Sequence, residues 1–312
     1  MSRAVMFPGQ GSQVVGMGHD LAQAFASARE LFEEVDDALG QHLSQLMWEG
    51  PIETLTLTEN AQPALMAASM AVVRVLEKEG GWRIADKAAF VAGHSLGEYS
   101  ALAAAGAFTV RDAARLLKIR GQAMQKAVPV GAGGMVALVG ADLELARAIA
   151  ALAAGASVCQ AANDNGGGQV VLSGSKEALD RAIVLAQEKG VKRALPLPVS
   201  APFHSSLMQP AAKVMEAALA EVTINSPVVP VVANVTASAQ TEPHEIRRLL
   251  VEQVTGTVRW RESVLFMKEA GVDSMVEMGA GKVLSGLVKR IDKGIDALSL
   301  QTPADVEAFL KG

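Results

Sequence analysis

Gly93-His94-Ser95-Leu96-Gly97 stands between an apolar run, Ala88 to Ala92, and a helical one, Glu98 to Ala105. This is a G-x-S-x-G pattern in the strand-turn-helix setting that a nucleophile elbow requires. The tight turn brings backbones close, hence glycine on both sides, and holds the serine in a strained conformation with its hydroxyl exposed at a helix N-terminus. Ser95 is the candidate nucleophile; the alternative for the pentapeptide alone is an ordinary turn with serine as helix cap. A serine hydroxyl needs a base, and the chain has five histidines. The choice falls on His204, in the proline-stiffened segment Pro198-Val-Ser-Ala-Pro-Phe-His-Ser-Ser, where a side chain can be fixed at a domain junction. His244 lies in a polar segment, and His94 is expected to be packed or hydrogen-bonded.

An oxyanion hole takes two converging backbone N–H groups. Elbow geometry supplies that of Leu96, and a second can come from the glycine-rich turn Phe7-Pro-Gly-Gln-Gly-Ser-Gln13, which also follows a strand. The same turn is not a dinucleotide fingerprint, because Val14 stands where the third glycine belongs; Gly279-Ala-Gly-Lys282 lacks the spacing and the hydroxyl residue of a phosphate loop. The helix begun by Thr109 places Ala113, Leu116, Leu117, Arg120, Met124 and Ala127 on one stripe. A guanidinium on that apolar stripe requires a carboxylate, which is either an internal Asp or Glu or one carried by the substrate.

The elements that hold these residues read as an α/β protein. Short apolar runs at Ala4 to Phe7, Ala88 to Ala92, Val228 to Ala233 and Ser274 to Met278 lead through glycine turns into helical periodicity, as strands of a buried parallel sheet do. Between Pro129 and Pro198 the rhythm changes to βαββαβ, the ferredoxin-like order: strand 134–140, helix 142–154, strands 157–162 and 169–173, helix 176–189, strand 192–197. The expectation is a large α/β-hydrolase-like domain with a parallel sheet, residues 1–129 and 198–312, with a small ferredoxin-like domain inserted at 130–197. Asn163-Asp-Asn-Gly-Gly-Gly168 reads as a loop between neighbouring strands.

Composition excludes several classes. Half of the 312 residues are apolar and 20% are charged, the pattern of a globular chain, and a net charge of -5 gives no footprint for nucleic acid. The longest alanine-rich runs are too short to span a membrane. A single cysteine, Cys159, and an N-terminus without a long apolar core point to the cytoplasm.

Taken together the blocks resemble the malonyl-CoA:acyl carrier protein transacylase family: FPGQGSQ (7–13), TENAQPAL (58–65), GHSLGEYSAL (93–102), IRGQAMQ (119–125), PVSAPFHSSLM (198–208), VVANV (231–235) and EMGAGKVLSGLVKR (277–290), in order along the whole chain. The resemblance implies Ser95 as nucleophile, His204 as base, Arg120 as anchor of the malonate carboxylate, and the N–H groups of Gln10 and Leu96 as oxyanion hole. It implies further that a main-chain carbonyl, at Gln253, orients the histidine, and that Gln62, Met124 and Asn163 line the site. Phe203 stands where members carry serine; its ring would occupy the space of an α-methyl group, or else simply packs at the junction. Lys192 with Arg193, and Lys289 with Arg290, match basic positions that would dock an acidic carrier protein. The implied substrates are malonyl-CoA and acyl carrier protein, handled by a monomer with no metal or bound cofactor beyond the coenzyme A thioester. Rival readings are a hydrolase of carrier-protein thioesters, or a malonyltransferase serving a polyketide or malonate decarboxylase system.

Overall fold

The apolar runs that carry the motifs lie side by side in a computed structural model, which describes residues 2–199 and 201–311. Ser200, within the segment that leads to His204, lies outside the described residues. In chain order the strands are β1 (Arg3–Phe7), β2 (Phe90–Gly93), β3 (Gly133–Val139), β4 (Cys159–Gly166), β5 (Gln169–Ser175), β6 (Arg193–Pro196), β7 (Val231–Ala233), β8 (Ser238–Gln240), β9 (Ser274–Met278) and β10 (Asp296–Leu300).

Six of them form one sheet in the order β10-β9-β1-β2-β7-β8, parallel except for β8, which turns back antiparallel on β7. The motif-bearing turns after β1, β2, β7 and β9 therefore share one carboxyl edge, where open α/β sheets gather their functional groups. The third strand begins at Val231 rather than Val228 because Pro230 has no N–H for the ladder. Two strands escape the sequence reading altogether. β8 has three residues, and β10 is an edge strand whose alternating exposure dilutes its apolar signal.

The other four strands form an antiparallel sheet in the order β4-β5-β3-β6, the ferredoxin-like arrangement, with helices Leu143–Ala154 and Lys176–Glu188 against it. Alternation along β3 gives this sheet two apolar faces. Val136 and Leu138 pack with its own helices, while Met135 and Ala137 join the main core. The glycine-rich stretch expected as a loop is a correction: β4 runs on through Gly166, with register shifts after Ala161 and Asp164, and only Gly167 and Gly168 turn. Its bulges keep pairing while the chain bends, which polar composition conceals.

β4 is also stitched to the larger unit. Asp164 N–H donates to the Val258 carbonyl at 2.9 Å, Val258 N–H to that of Ala162 at 2.8 Å, and Arg261 meets the buried Asp164 carboxylate at 3.0 Å. Asn163 and Val258 form a parallel bridge.

Two glycines of the elbow are set by close backbone approach. A Cβ on Gly93 would stand 1.9 Å from the Gly97 carbonyl, and one on Gly97 would stand 2.2 Å from the carbonyl oxygen of Phe7. Gly286, inside helix Val283–Ile291, has open space around it. Gly97→Ala is expected to cost about 3 kcal/mol, the upper part of the overpacking range. Gly286→Ala should instead gain roughly 0.5–1 kcal/mol from helix propensity. Urea unfolding of both variants checks the contrast, and an unshifted midpoint for Gly97→Ala would mean that β1 and the elbow separate freely.

Candidate active site

At the end of β2 the chain turns sharply. His94 N–H donates to the Phe7 carbonyl at 3.1 Å, and Ser95 adopts a left-handed backbone with φ of 55° before helix Gly97–Ala104 begins. That conformation costs a non-glycine residue on the order of 1–3 kcal/mol, so something must over-determine it. Asn234, just past β7, does so. Its Oδ1 accepts the Ser95 N–H at 2.8 Å and its Nδ2 donates to the Gly93 carbonyl at 2.7 Å, clamping both sides of the turn.

His204 also has a left-handed backbone, with φ of 55°, inside a turn closed by Ser205 Oγ donating to the Pro202 carbonyl at 2.8 Å. Its Nδ1 lies 2.9 Å from the Gln253 carbonyl oxygen and its Nε2 lies 2.7 Å from Ser95 Oγ. A carbonyl can only accept, so Nδ1 carries the proton and Nε2 is left to accept from the serine hydroxyl. Burial first, then the Arg120 charge, pushes this imidazole down from 6.5 to about 3. The imidazole is neutral throughout the physiological range.

Arg120 is 1% exposed. Among the described residues it forms no ion pair. Nη1 donates to Gln62 Oε1 at 2.8 Å, and Nη2 donates to Gln253 Oε1 at 2.9 Å and to Ser95 Oγ at 3.2 Å, while Nε has no partner. Of the two carboxylates considered for it, the internal one is absent from its contacts. Gln62 and Gln253 are held oxygen-forward by their other ends. Gln62 Nε2 donates to Thr58 Oγ1 at 3.2 Å and faces Met124 Sδ at 3.7 Å; Gln253 Nε2 donates to Glu98 Oε2 at 2.9 Å and to the Ser95 carbonyl at 3.0 Å. Thr58 in turn donates to Gln10 Oε1 at 2.7 Å, tying the glycine-rich turn to the same network.

A cleft of about 530 Å³ opens over Ser95. Gln10, Gln62, Leu96, Arg120, Met124, Asn163, Phe203 and His204 all line it. Neither Gln10 nor Leu96 spends its backbone N–H on an acceptor among the described residues. Asn163 Oδ1 is buried without a partner among the described residues. His94, beside the elbow, bonds Asn165 Oδ1 at 2.9 Å and tilts against Trp260, and His244 is exposed. The four basic residues Lys192, Arg193, Lys289 and Arg290 are exposed and none lines the cleft. Lys192 lies against Gly140 and Arg290 against Gly167, and Gly140 N–H donates to the Gly168 carbonyl at 2.7 Å, so the two pairs flank one hairpin tip. The Gly279–Lys282 turn has no free anion cradle, since the buried Glu277 carboxylate already accepts the N–H groups of Leu284 and Ser285 at 3.0 and 2.8 Å. No group of three or more metal-ligating side chains, and no helix long and apolar enough to cross a membrane, occurs among the described residues.

Sequence reasoning missed Glu98 and Asn234. Glu98 is 2% exposed, and its Oε2 accepts from Asn234 N–H at 3.0 Å as well as from Gln253. Desolvation raises its carboxyl to about 7 against the pull of those bonds and of Arg120. The available signals were an acid inside an alanine-rich helical run and an asparagine at the carboxyl end of a strand.

An acyl transferase domain model matches residues 5–298. Malonyl CoA-acyl carrier protein transacylase of Escherichia coli (strain K12) is 46% identical over 309 residues, 99% of this chain and 98% of that protein. The crystal structure of an acyl-carrier-protein-S-malonyltransferase from Bartonella henselae superposes with a TM-score of 0.97 at 55% identity, covering 100% of this chain and 99% of that one. A malonyl-transacylase solved in complex with a type II PKS acyl-carrier protein has a TM-score of 0.96 at 42% identity, covering 100% and 99%.

Because the imidazole is held near 3, lowering the pH should not protonate the base until well below an ordinary histidine's 6.5. The rate at which a fluorophosphonate modifies Ser95 should therefore stay level down to about pH 5. A rate that halves near 6.5 would place His204 in an ordinary solvated environment.

Proposed function

The chain belongs to the acyl transferase family, and from that premise we propose that it transfers a malonyl group from malonyl-CoA to the phosphopantetheine thiol of acyl carrier protein, through an ester on Ser95. The observation that carries this reading is a fully buried guanidinium, 3.2 Å from Ser95 Oγ, bonded to amide and hydroxyl oxygens and to no carboxylate among the described residues. A substrate with its own free carboxylate completes that site.

His204 Nε2 takes the Ser95 proton as the oxygen attacks the thioester carbonyl, and the imidazolium is steadied by the Gln253 carbonyl. Negative charge on the former carbonyl oxygen is met by the N–H groups of Leu96 and Gln10. Coenzyme A leaves as a thiol with the proton from His204. The carrier-protein thiol then attacks the malonyl ester in the reverse sense, with His204 again the base. Arg120 holds the malonyl carboxylate throughout, so the ester carbonyl stays oriented for the incoming thiol. Phe203, which lines the cleft, would crowd an α-methyl branch on the acyl group. A hydrolase of monocarboxylic acyl chains gives Arg120 no partner, and that observation weighs against the rival. The thioester is a substrate rather than a resident cofactor, and the product feeds chain elongation in cytoplasmic fatty-acid synthesis, from a monomeric enzyme.

Arg120→Ala should slow malonyl loading by the equivalent of about 2–5 kcal/mol, the range for removing one partner of a buried charge pair. Acetyl loading should change far less. Intact-mass kinetics of the Ser95 adduct with both thioesters separates the cases; equal losses would make Arg120 a structural cation.

For the partner, the chain's net charge of -5 requires a local basic surface to receive an acidic carrier protein. Lys192, Arg193, Lys289 and Arg290, gathered about one hairpin tip, supply it. Reversing either pair to glutamate should raise KM for the carrier protein and flatten its salt dependence, with loading from malonyl-CoA little affected. If only the coenzyme A half-reaction suffers, these residues serve the nucleotide phosphates instead.

A further inference from the structure

Glu98 is a buried acid that the acyl-transfer steps do not use, one side chain removed from the cation that they do. The Gln253 amide joins the two, its Nε2 on Glu98 and its Oε1 on Arg120. In the unliganded site Glu98 is thus the anion nearest in the network to Arg120, and a malonyl carboxylate arriving at the guanidinium brings a second anion to one buried cation. We propose that Glu98 exchanges its charge for that of the substrate, taking up one proton from solvent when the malonyl carboxylate engages Arg120. This rests on the reading of Arg120 as the malonate anchor.

The only bond formed is the O–H of Glu98. Both donors bond to Oε2, so the proton is carried on Oε1 while the hydrogen bonds that fix Asn234 and Gln253 persist. Few other groups are placed to compete for that proton: in helix Pro243–Gln253, Arg248 pairs with Glu245 and Glu252, Arg247 donates to the Leu219 and Val222 carbonyls, and His244 is exposed. The strands against helix Gly97–Ala104 contain one charged residue, Arg3, at the outer end of β1. In helix Thr58–Gly80, Glu59 pairs with Lys118, Arg74 with Glu34, Glu79 accepts from Ser27, and Glu77 and Lys78 are exposed. Arg120 is the buried charge of helix Val110–Lys126. Tyr99, next in sequence, is pushed up to about 12, and His94 and His204 across the elbow are both lowered, so all three are neutral near pH 7. With its carboxyl raised to about 7 before substrate arrives, Glu98 is poised to respond to a second anion.

Linkage fixes the sign. Substrate binding that takes up a proton weakens as pH rises above the unbound value of Glu98, by up to about tenfold per pH unit. The test is the ratio of kcat/KM for loading Ser95 from malonyl-CoA and from acetyl-CoA, followed from about pH 6 to about pH 9. The ratio should fall with pH in the wild type and be level in Glu98→Gln, which keeps both hydrogen bonds but cannot titrate. A ratio that is large but flat in the wild type, or one that slopes equally in Glu98→Gln, overturns the proposal while leaving the malonate anchor standing. A ratio near one at every pH overturns the anchor itself. Should Glu98→Gln not fold, titration calorimetry of Ser95→Ala with malonyl-CoA in two buffers of different ionisation heat reads the proton directly. Enthalpies should differ between buffers for malonyl-CoA and agree for acetyl-CoA; agreement for both overturns the proposal.

Discussion

A guanidinium taken out of water, with no carboxylate bonded to it among the described residues, is the constraint around which the site is arranged. Removing a charge from solvent is costly unless hydrogen bonds and an opposite charge replace the water. Here the hydrogen bonds come from Gln62, Gln253 and Ser95, all neutral, so the donors of Arg120 are largely satisfied while its charge is not cancelled at contact. Every neighbour that fixes Arg120 must itself be fixed. That demand runs outward through Thr58 to Gln10, and through Glu98 to Asn234 and the elbow.

The same residual charge acts on the base. A cation beside a buried imidazole disfavours the imidazolium, which reinforces desolvation in keeping His204 unprotonated. The charge that awaits an anion at Arg120 is thus also the second cause, after burial, of the neutral His204 imidazole. Replacing either glutamine with an acid would neutralise Arg120 and forfeit both roles. Amides also have a direction that carboxylates lack. Gln253 serves twice, with its side chain on Arg120 and its main-chain carbonyl on His204, so the placement of guanidinium and imidazole relative to each other is set within one residue.

Much of the fold was legible because parallel strands are continuous apolar runs closed by glycine turns, and the inserted unit announced itself by its βαββαβ rhythm. What escaped were elements whose pairing does not depend on apolar content: β8, the edge strand β10, and the polar second half of β4. At the site, the G-x-S-x-G turn and the lone arginine on an apolar stripe could be read because each violates a local expectation. Asn234 and Glu98 could not. Asn234 works on a turn 139 residues away in sequence, and Glu98 looks like any solvated acid until the fold closes over it. The basic pairs were visible as pairs, but their convergence on one hairpin tip depends on which strands neighbour one another.

The seam between β4 and Val258 has a consequence for how the molecule comes apart. Backbone hydrogen bonds run in both directions across it, and a buried aspartate closes one end. Together with the face of β3 that packs into the main core, this joins the smaller sheet to the larger one by main-chain bonds and apolar contact at once. Separating the two sheets would therefore unpair the amides of Asp164 and Val258 and bare the Met135 and Ala137 face of β3 in one step.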